Sequence, residues 1–198
     1  MNVLVAGATG QTGLRLTREL LERGHSPIAL VRESSDTTDL PDAVELRQGN
    51  LTDLDSDVCA GCDAVIFAAG SGGDTSAEMT EKVDRDGAKS LIDRAVTAKV
   101  NRFVMLSTVG AGDPDPDSDL GHYLQAKHEA DEHLKASGLD YAILRPVALT
   151  TDDGTRNFKF GDEVDVSAKA ARGDVAALLA RAVDEEAWLG QALLMQSA

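Results

Sequence analysis

A tyrosine and a lysine four residues apart, Tyr123 and Lys127, are the pair in this sequence best suited to proton transfer. They fall within a helical pattern from about Leu120 to Ala136, so both side chains project from one face of the predicted helix. A free phenol has a pKa of about 10, and a neighbouring ammonium group favours the phenolate and lowers that pKa. The spacing indicates a proton donor and its tuning cation; the alternative is an exposed tyrosine with a lysine one turn later.

Three glycines near the N-terminus form the second chemical signature, in the run Gly7-Ala8-Thr9-Gly10-Gln11-Thr12-Gly13. The run follows the apolar segment Val3 to Ala6, which predicts a strand, and opens a helical pattern that ends near Gly24. Glycines in this context permit a tight turn and bring a diphosphate close to the free N–H groups of a helix N-terminus. We therefore expect Gly7, Thr9, Gly10, Gln11, Thr12 and Gly13 to bind a dinucleotide.

The residue after the second predicted strand bears on the choice of cofactor. An acidic residue about 20 positions beyond the motif would hold the ribose hydroxyls of NAD, but this strand ends at Val31 and is followed by Arg32. A guanidinium matches a 2′-phosphate in both shape and charge. The sequence therefore predicts NADP in preference to NAD, with a solvated arginine at a strand end as the alternative.

The elements that must position these residues alternate regularly along the chain. Strands are predicted at Val3–Ala6, Pro27–Val31, Val44–Arg47, Ala64–Ala68, Arg102–Leu106, Tyr141–Leu144 and Ala192–Met195. Helices are predicted after the glycine turn and at about Asp53–Cys59, Ala77–Ala98, Leu120–Ala136 and Asp174–Asp184. Apolar strands separated by helices require a parallel sheet covered on both faces. We expect an α/β fold, a doubly wound Rossmann sheet, with residues 1–198 forming one domain.

The charge composition excludes some classes of binding partner. With 34 acidic and 19 basic residues the net charge is −15, which repels nucleic-acid phosphates and anionic membranes. The acidic excess is spread over the chain and is typical of proteins from salt-loving organisms. No apolar stretch approaches the roughly 20 residues that span a bilayer, and no basic segment precedes the first strand. We expect a cytoplasmic protein that binds neither nucleic acid nor membrane; whether it forms a homodimer is left open.

Two other patterns could suggest metal or thiol chemistry. Cys59 and Cys62 form a C-x-x-C pair, but at the end of a short predicted helix a thiolate is not stabilised, and we expect buried or half-buried thiols. Asp113 to Asp119 imitates the opening of a calcium loop, yet Ser118 replaces the turn glycine and Leu124 stands where a bidentate glutamate belongs. We predict no metal site.

Taken together, these motifs resemble the short-chain dehydrogenase/reductase superfamily, in particular its atypical branch with NmrA-like proteins and biliverdin-IX-beta reductase. The resemblance covers nearly the whole chain. It rests on the glycine turn and on Gly49-Asn50-Leu51-Thr52-Asp53, Asp63 to Gly70, Arg102 to Thr108, Tyr123 to Lys127, Leu139 to Pro146 and Arg172 to Ala176. The family commonly has aspartate where this chain has Asn50.

The resemblance implies a role for each matching residue. Asn50 and Leu51 would flank the adenine, while Ala68, Ala69 and Gly70 would pass beside the cofactor ribose. Pro146 would line the nicotinamide end, where Lys127 would also hold the ribose. Tyr123 would act as general acid or base, and either Ser107 or Thr108, at the end of the fifth strand, would orient a substrate carbonyl.

The expected activity is hydride transfer between NADP and a small carbonyl compound, a quinone or a flavin. Because only 52 residues follow Pro146, the segment Val147 to Val166 is expected to form a shallow cover, which disfavours a nucleotide-sugar substrate. The alternative is a non-catalytic NAD(P)-binding sensor or regulator, since fold alone does not fix function. Arg145 could meet substrate or anchor the sheet edge, and Asp174 is expected to be a helix N-terminal acid.

Overall fold

A twisted, mostly parallel sheet positions every predicted site residue. The computed structural model describes residues 1–72 and 76–198, and within these residues the main sheet has eight strands in the order β3-β2-β1-β4-β5-β6-β10-β8. Its strands are β1 (Asn2–Ala6), β2 (Ser26–Val31), β3 (Glu45–Gln48), β4 (Ala64–Phe67), β5 (Arg102–Leu106), β6 (Asp140–Pro146), β8 (Phe158–Phe160) and β10 (Gln191–Ser197). Two further strands, β7 (Ala148–Thr150) and β9 (Lys169–Ala171), pair with each other in parallel.

The helices lie on both faces of the main sheet. They are α1 (Gln11–Glu22), α2 (Ala77–Thr80), α3 (Ala88–Thr97), α4 (Gly121–Ala136) and α5 (Arg172–Arg181). The segment Glu81–Gly87 between α2 and α3 is a π-helix, and short 3-10 turns occupy Gly161–Glu163 and Glu186–Trp188. Among the described residues, no helix combines the length and apolar character needed to cross a membrane.

Alternating residues of each strand feed two separate cores. On β1, Val3 and Val5 pack with Leu16 of α1 and Leu178 of α5. Leu4 and Ala6 of the same strand face the opposite side, where Leu91 and Ile92 of α3 and Leu134 of α4 pack. Because the side-chain period of a strand is two, an uninterrupted apolar run such as Val3 to Ala6 needs cover on both faces. The predicted doubly wound architecture is confirmed.

The strand order reverses at β1, and this reversal creates the site. β1 pairs in parallel with β2 on one side and with β4 on the other. The connections from β1 and β4 therefore leave in opposite directions and open a crevice at the carboxyl ends of the strands, where open α/β sheets bind their ligands.

The predicted helix over Asp53–Cys59 is wrong. These residues form an irregular segment that ends in turns at residues 56–59, because hydrogen bonds from side chains to the backbone compete with helix formation. The Asn50 side-chain oxygen accepts from the Thr52 N–H, and the Arg47 guanidinium donates to the carbonyls of Val58 and Ala60. Cys59 is buried and Cys62 half-buried, as expected; burial raises the pKa of the Cys59 thiol to about 12, so it stays protonated at neutral pH.

The segment from Val147 to Val166 does more than form the expected shallow cover. β7 pairs with β9, whereas β8 joins the main sheet antiparallel to β10. Phe160 of β8 packs edge-to-face on Trp188, with ring centroids 5.4 Å apart. The alternation of aromatic and polar residues in Phe158–Phe160 was too short to identify a strand without its partner β10.

Leu16 tests how much α1 depends on the core. Its side chain is fully buried, so Leu16→Ala should lower the free energy of unfolding by about 2–5 kcal/mol. The matched control is Leu46→Ala on β3, where the leucine is 49% exposed and the loss should stay below about 1 kcal/mol. Urea unfolding followed by circular dichroism gives both values, and equal losses would contradict the assignment of Leu16 to the core.

Candidate functional site

The glycine turn between β1 and α1 has no room for side chains. Gly7 has a φ of +86°, and a Cβ there would lie 2.6 Å from the Ala69 backbone nitrogen. A Cβ at Gly13 would collide with the Gly7 carbonyl oxygen. Gly10 is the N-cap of α1 and brings no capping side chain, so the first N–H groups of the helix remain for an anion. This cradle fits the diphosphate of a dinucleotide.

Two connected clefts meet at this turn. The main cleft has a volume of about 640 Å³ and the side cleft about 280 Å³. Both are lined by Gly10, Ala68, Ala69 and Gly70, which join them along the ends of β1 and β4. Together they form an elongated groove with the glycine turn at its middle, and volumes of this order are typical of ligand sites.

The structure places each predicted site residue in this groove. The side cleft contains Gly7, Thr9, Arg32, Asn50 and Leu51, and the main cleft contains Gln11, Thr12, Gly13, Ser107, Thr108, Tyr123, Lys127 and Pro146. The predicted residues Gly10, Ala68, Ala69 and Gly70 line both. Their contact with a dinucleotide stays a prediction. The order along the groove is that expected for adenosine on one side of the turn and nicotinamide on the other.

Arg32 lies at the outer end of the side cleft. Its side chain is exposed and lines both that cleft and an adjoining depression beside Glu33 and Asn50. The backbone N–H of Arg32 donates to the Ser35 hydroxyl at 3.0 Å, which fixes the start of the loop after β2. Within the described residues no carboxylate pairs with the guanidinium, so it remains available to an anionic group.

Lys127 forms a buried ion pair with Asp84, which the sequence did not predict. The ammonium is 3.0 Å from the Asp84 carboxylate, and the two side chains are 4% and 0% exposed. Burial by itself lowers the pKa of Lys127, but the nearby Tyr123 and Asp84 outweigh it and raise the pKa. The ammonium also lies 5.9 Å from the centre of the Tyr123 ring. Tyrosine and lysine thus meet as predicted, although Asp84 balances the lysine charge.

A π-helix brings Asp84 to this position. Asp84 stands in the middle of the segment Glu81–Gly87, and its second carboxylate oxygen accepts from the Ser71 N–H at 2.9 Å. π-Helical turns often occur at functional sites because they displace one residue from its regular place on the helix face. A signal was present in the sequence: Asp84 lies on the same stripe as the apolar Ala88 and Leu91, four and seven residues later.

A second buried carboxylate holds the serine of the fifth strand. Ser107 Oγ donates to Asp131 Oδ2 at 2.8 Å, and Arg145 donates to the same oxygen through Nε at 3.1 Å and Nη2 at 2.9 Å. Burial raises the pKa of Asp131, while Arg145 and Ser107 oppose that shift. Of the two roles considered for Arg145, the structure supports anchoring through a carboxylate. Asp174 is buried in the first turn of α5, as expected.

The hydroxyl groups of Ser107 and Thr108 therefore differ in whether their hydrogen is already donated within the protein. The hydrogen of Ser107 is directed to Asp131, whereas the Thr108 hydroxyl lines the main cleft without a hydrogen bond to any other described residue. Because a hydroxyl has a single hydrogen to donate, Ser107 offers the cleft mainly lone pairs and Thr108 retains its donor. This difference could not be predicted from the sequence, since it depends on Asp131 of α4.

Besides Asp84 and Asp131, Arg172 is a site residue that the sequence did not predict. It begins α5 and lines the main cleft next to the glycine turn, where its Nη1 donates to Thr12 Oγ1 at 3.1 Å. His122 also borders this cleft and contacts the Ala77 carbonyl and Glu81. The described residues contain no cluster of His, Cys, Asp and Glu arranged to hold a metal ion.

Comparison with known proteins agrees with this geometry. Residues 7–186 match the family model described as NAD(P)H-binding. The uncharacterized sugar epimerase YhfK of Bacillus subtilis is 37% identical over 192 residues, covering 94% of this chain and 89% of that protein. A Bacillus halodurans structure provisionally named an NAD-dependent epimerase/dehydratase has a TM-score of 0.94 and 36% identity, over 100% of this chain and 94% of its own. The oxidoreductase ylbE of Lactococcus lactis has a TM-score of 0.87 and 30% identity, with coverages of 100% and 91%.

The Lys127–Asp84 pair gives a sharp stability test. Asp84→Asn leaves the buried ammonium without a counter-charge and should lower the free energy of unfolding by about 3–5 kcal/mol. The double variant Asp84→Asn with Lys127→Met should recover part of this loss, because the uncompensated charge is gone. Urea unfolding at pH 7 measures the free energy of unfolding of the wild type and of both variants.

The matched control for this test is Asp86→Asn. Asp86 pairs with Arg85 in an exposed position, so its substitution should change stability by no more than about 1 kcal/mol. If Asp84→Asn were as mild as Asp86→Asn, the ion pair would have no structural role.

Proposed function

Because this chain belongs to the NAD(P)H-binding family, we propose that it is an NADP-dependent oxidoreductase acting on a small carbonyl compound, a quinone or a flavin. The observation that carries the proposal is that the glycine turn, Tyr123, Lys127 and Thr108 line one continuous cleft. The bound nicotinamide would supply the hydride chemistry, and the protein would supply orientation and electrostatics.

Tyr123 is assigned the proton transfer to the acceptor. It lines the main cleft from α4, one turn before Lys127. A positive charge nearby favours the phenolate that remains after the proton has left. Asp84 keeps Lys127 charged and in place, so the ammonium is held beside the phenol.

Thr108 is assigned the hydrogen bond to the acceptor carbonyl, in preference to Ser107. The Thr108 hydroxyl is not engaged within the described residues, whereas Ser107 already donates to Asp131. A donor aimed at the carbonyl oxygen stabilises the negative charge that develops there during hydride addition.

The shape of the cleft supports a small or planar acceptor. The lining of the main cleft also includes Leu120, Leu149, His122 and Asp119, which offer apolar surface, one imidazole and one carboxylate. A planar ring system such as a quinone or flavin can stack there. The epimerase names of two relatives are the reason to include nucleotide sugars in a substrate screen.

A second candidate function is a non-catalytic NAD(P)-binding sensor, and the Asp84–Lys127 ion pair favours it. The Asp84 carboxylate neutralises part of the positive charge that Lys127 would present to Tyr123, so the pair weakens the lysine as an activator of the tyrosine. In this role the same groove binds the dinucleotide without turnover.

Cofactor choice is tested at Arg32. Arg32→Ala should weaken NADPH binding about 10- to 100-fold, because a charge-assisted contact to the 2′-phosphate is lost, and leave NADH within about threefold. Isothermal calorimetry at low and high salt measures both, with exposed Arg18→Ala as the control for loss of one positive charge. A wild-type protein that prefers NADH would overturn the NADP assignment.

Turnover is tested at Tyr123. Tyr123→Phe should lower kcat with quinone, flavin or small carbonyl acceptors by about 10²- to 10⁴-fold and keep NADPH affinity within about threefold. Tyr141→Phe, a substitution of the other tyrosine away from the groove, should leave kcat unchanged. Unaltered turnover in Tyr123→Phe would remove the proton-transfer role, whereas NADPH binding with no turnover in the wild type would favour the sensor.

A further inference from the structure

Arg172 is a cation without a counter-charge inside the groove. Its Nη1 donates to Thr12 Oγ1, but Nε is buried without a hydrogen-bond partner. Within the described residues no carboxylate lies within ion-pair distance of the guanidinium, although the chain has 34 acidic residues. Burial lowers the pKa of Arg172, and the neighbouring Arg15 lowers it further. This environment is unfavourable for a positive charge unless an anion completes it.

Several other arginines of the chain differ from Arg172 because each of these has a carboxylate partner. Arg15 pairs with Asp153 at 2.8 Å, Arg156 with Glu19, and Arg145 with Asp131 at 2.9 Å. All of them satisfy their charge within the protein, even where they are more exposed than Arg172. The Nη2 group of Arg172, which has no hydrogen bond to any described residue, therefore remains for a ligand.

The position of the guanidinium identifies the class of ligand. Thr12 is the second residue of α1, so Arg172 lies against the first turn of the helix whose free N–H groups line the groove. An anion bound by those N–H groups therefore also lies near the guanidinium. The glycine cradle admits a diphosphate there, and an arginine fork donates two parallel hydrogen bonds to phosphate oxygens.

We propose that Arg172 is a diphosphate-binding residue, which clamps the dinucleotide from the side of α5 while the glycine turn holds it from the side of α1. This inference rests on the proposed dinucleotide binding. It assigns to α5 a direct part in ligand binding, in addition to its packing against α1. The guanidinium is positioned by Thr12 and charge-neutralised by the ligand.

The test compares ligands that differ in the diphosphate. Arg172→Met should weaken NADPH and ADP-ribose about 10- to 100-fold, because both contain the diphosphate, and leave adenosine 2′-monophosphate within about twofold. Direct calorimetric titration of the purified full chain measures the three dissociation constants. Arg18→Met, which removes an exposed positive charge outside the groove, should leave all three within about twofold.

A second variant guards against a folding defect. Arg172→Lys keeps the charge and the aliphatic stem but loses the planar fork, so it should weaken NADPH and ADP-ribose less than Arg172→Met does. Thermal unfolding of each variant without ligand shows whether it is folded. If Arg172→Met does not fold, the same ligand series on Arg172→Lys decides the question.

The outcomes separate this inference from the proposed function. If the wild type binds no dinucleotide, the proposed function fails on the wild type alone. If the wild type binds NADPH and Arg172→Met binds it equally well, the clamp is wrong, and Arg172 is left to face an anionic acceptor. Equal weakening of all three ligands would also overturn the proposal, because it would indicate general damage to the groove.

Discussion

The close approach of backbone to backbone at the glycine turn governs the rest of this structure. Gly7 and Gly13 lie where a Cβ would collide with the end of β4 or with the turn itself. Their lack of side chains lets α1 begin directly against the carboxyl ends of β1 and β4. The groove, its helix N-terminus and the point where the strand order reverses all follow from this contact.

Charge is distributed unevenly around the groove. The protein has a net charge of −15, yet Arg32 and Arg172 stand in the groove without carboxylate partners among the described residues. Lys127 and Arg145, by contrast, are each paired with a buried aspartate. Buried charges need partners to remain ionised, and under the proposed function the phosphates of a dinucleotide would supply the missing partners of Arg32 and Arg172.

The two buried aspartates explain why the catalytic assignment is less direct than the motif suggests. Asp84 takes up part of the positive charge that Lys127 would offer to Tyr123, and Asp131 takes the hydrogen that Ser107 would offer to a carbonyl. Both come from helices that pack over the same face of the sheet. Thr108 is the hydroxyl that these constraints leave for an acceptor.

Local patterns in the sequence determined the alternating strands and helices, the glycine turn and the presence of Tyr123 and Lys127 on one helix face, because each depends on residues close together in the chain. The same patterns wrongly gave a helix at Asp53–Cys59, where hydrogen bonds from Arg47 favour turns. The tertiary structure alone decided the partners of Lys127 and Ser107, the antiparallel pairing of β8 with β10, and the placement of Arg172 beside Thr12. Asp84 and Lys127 are 43 residues apart, and Thr12 and Arg172 are 160 apart. Contacts over such separations are set by how helices dock on the sheet, and no short-range pattern encodes them.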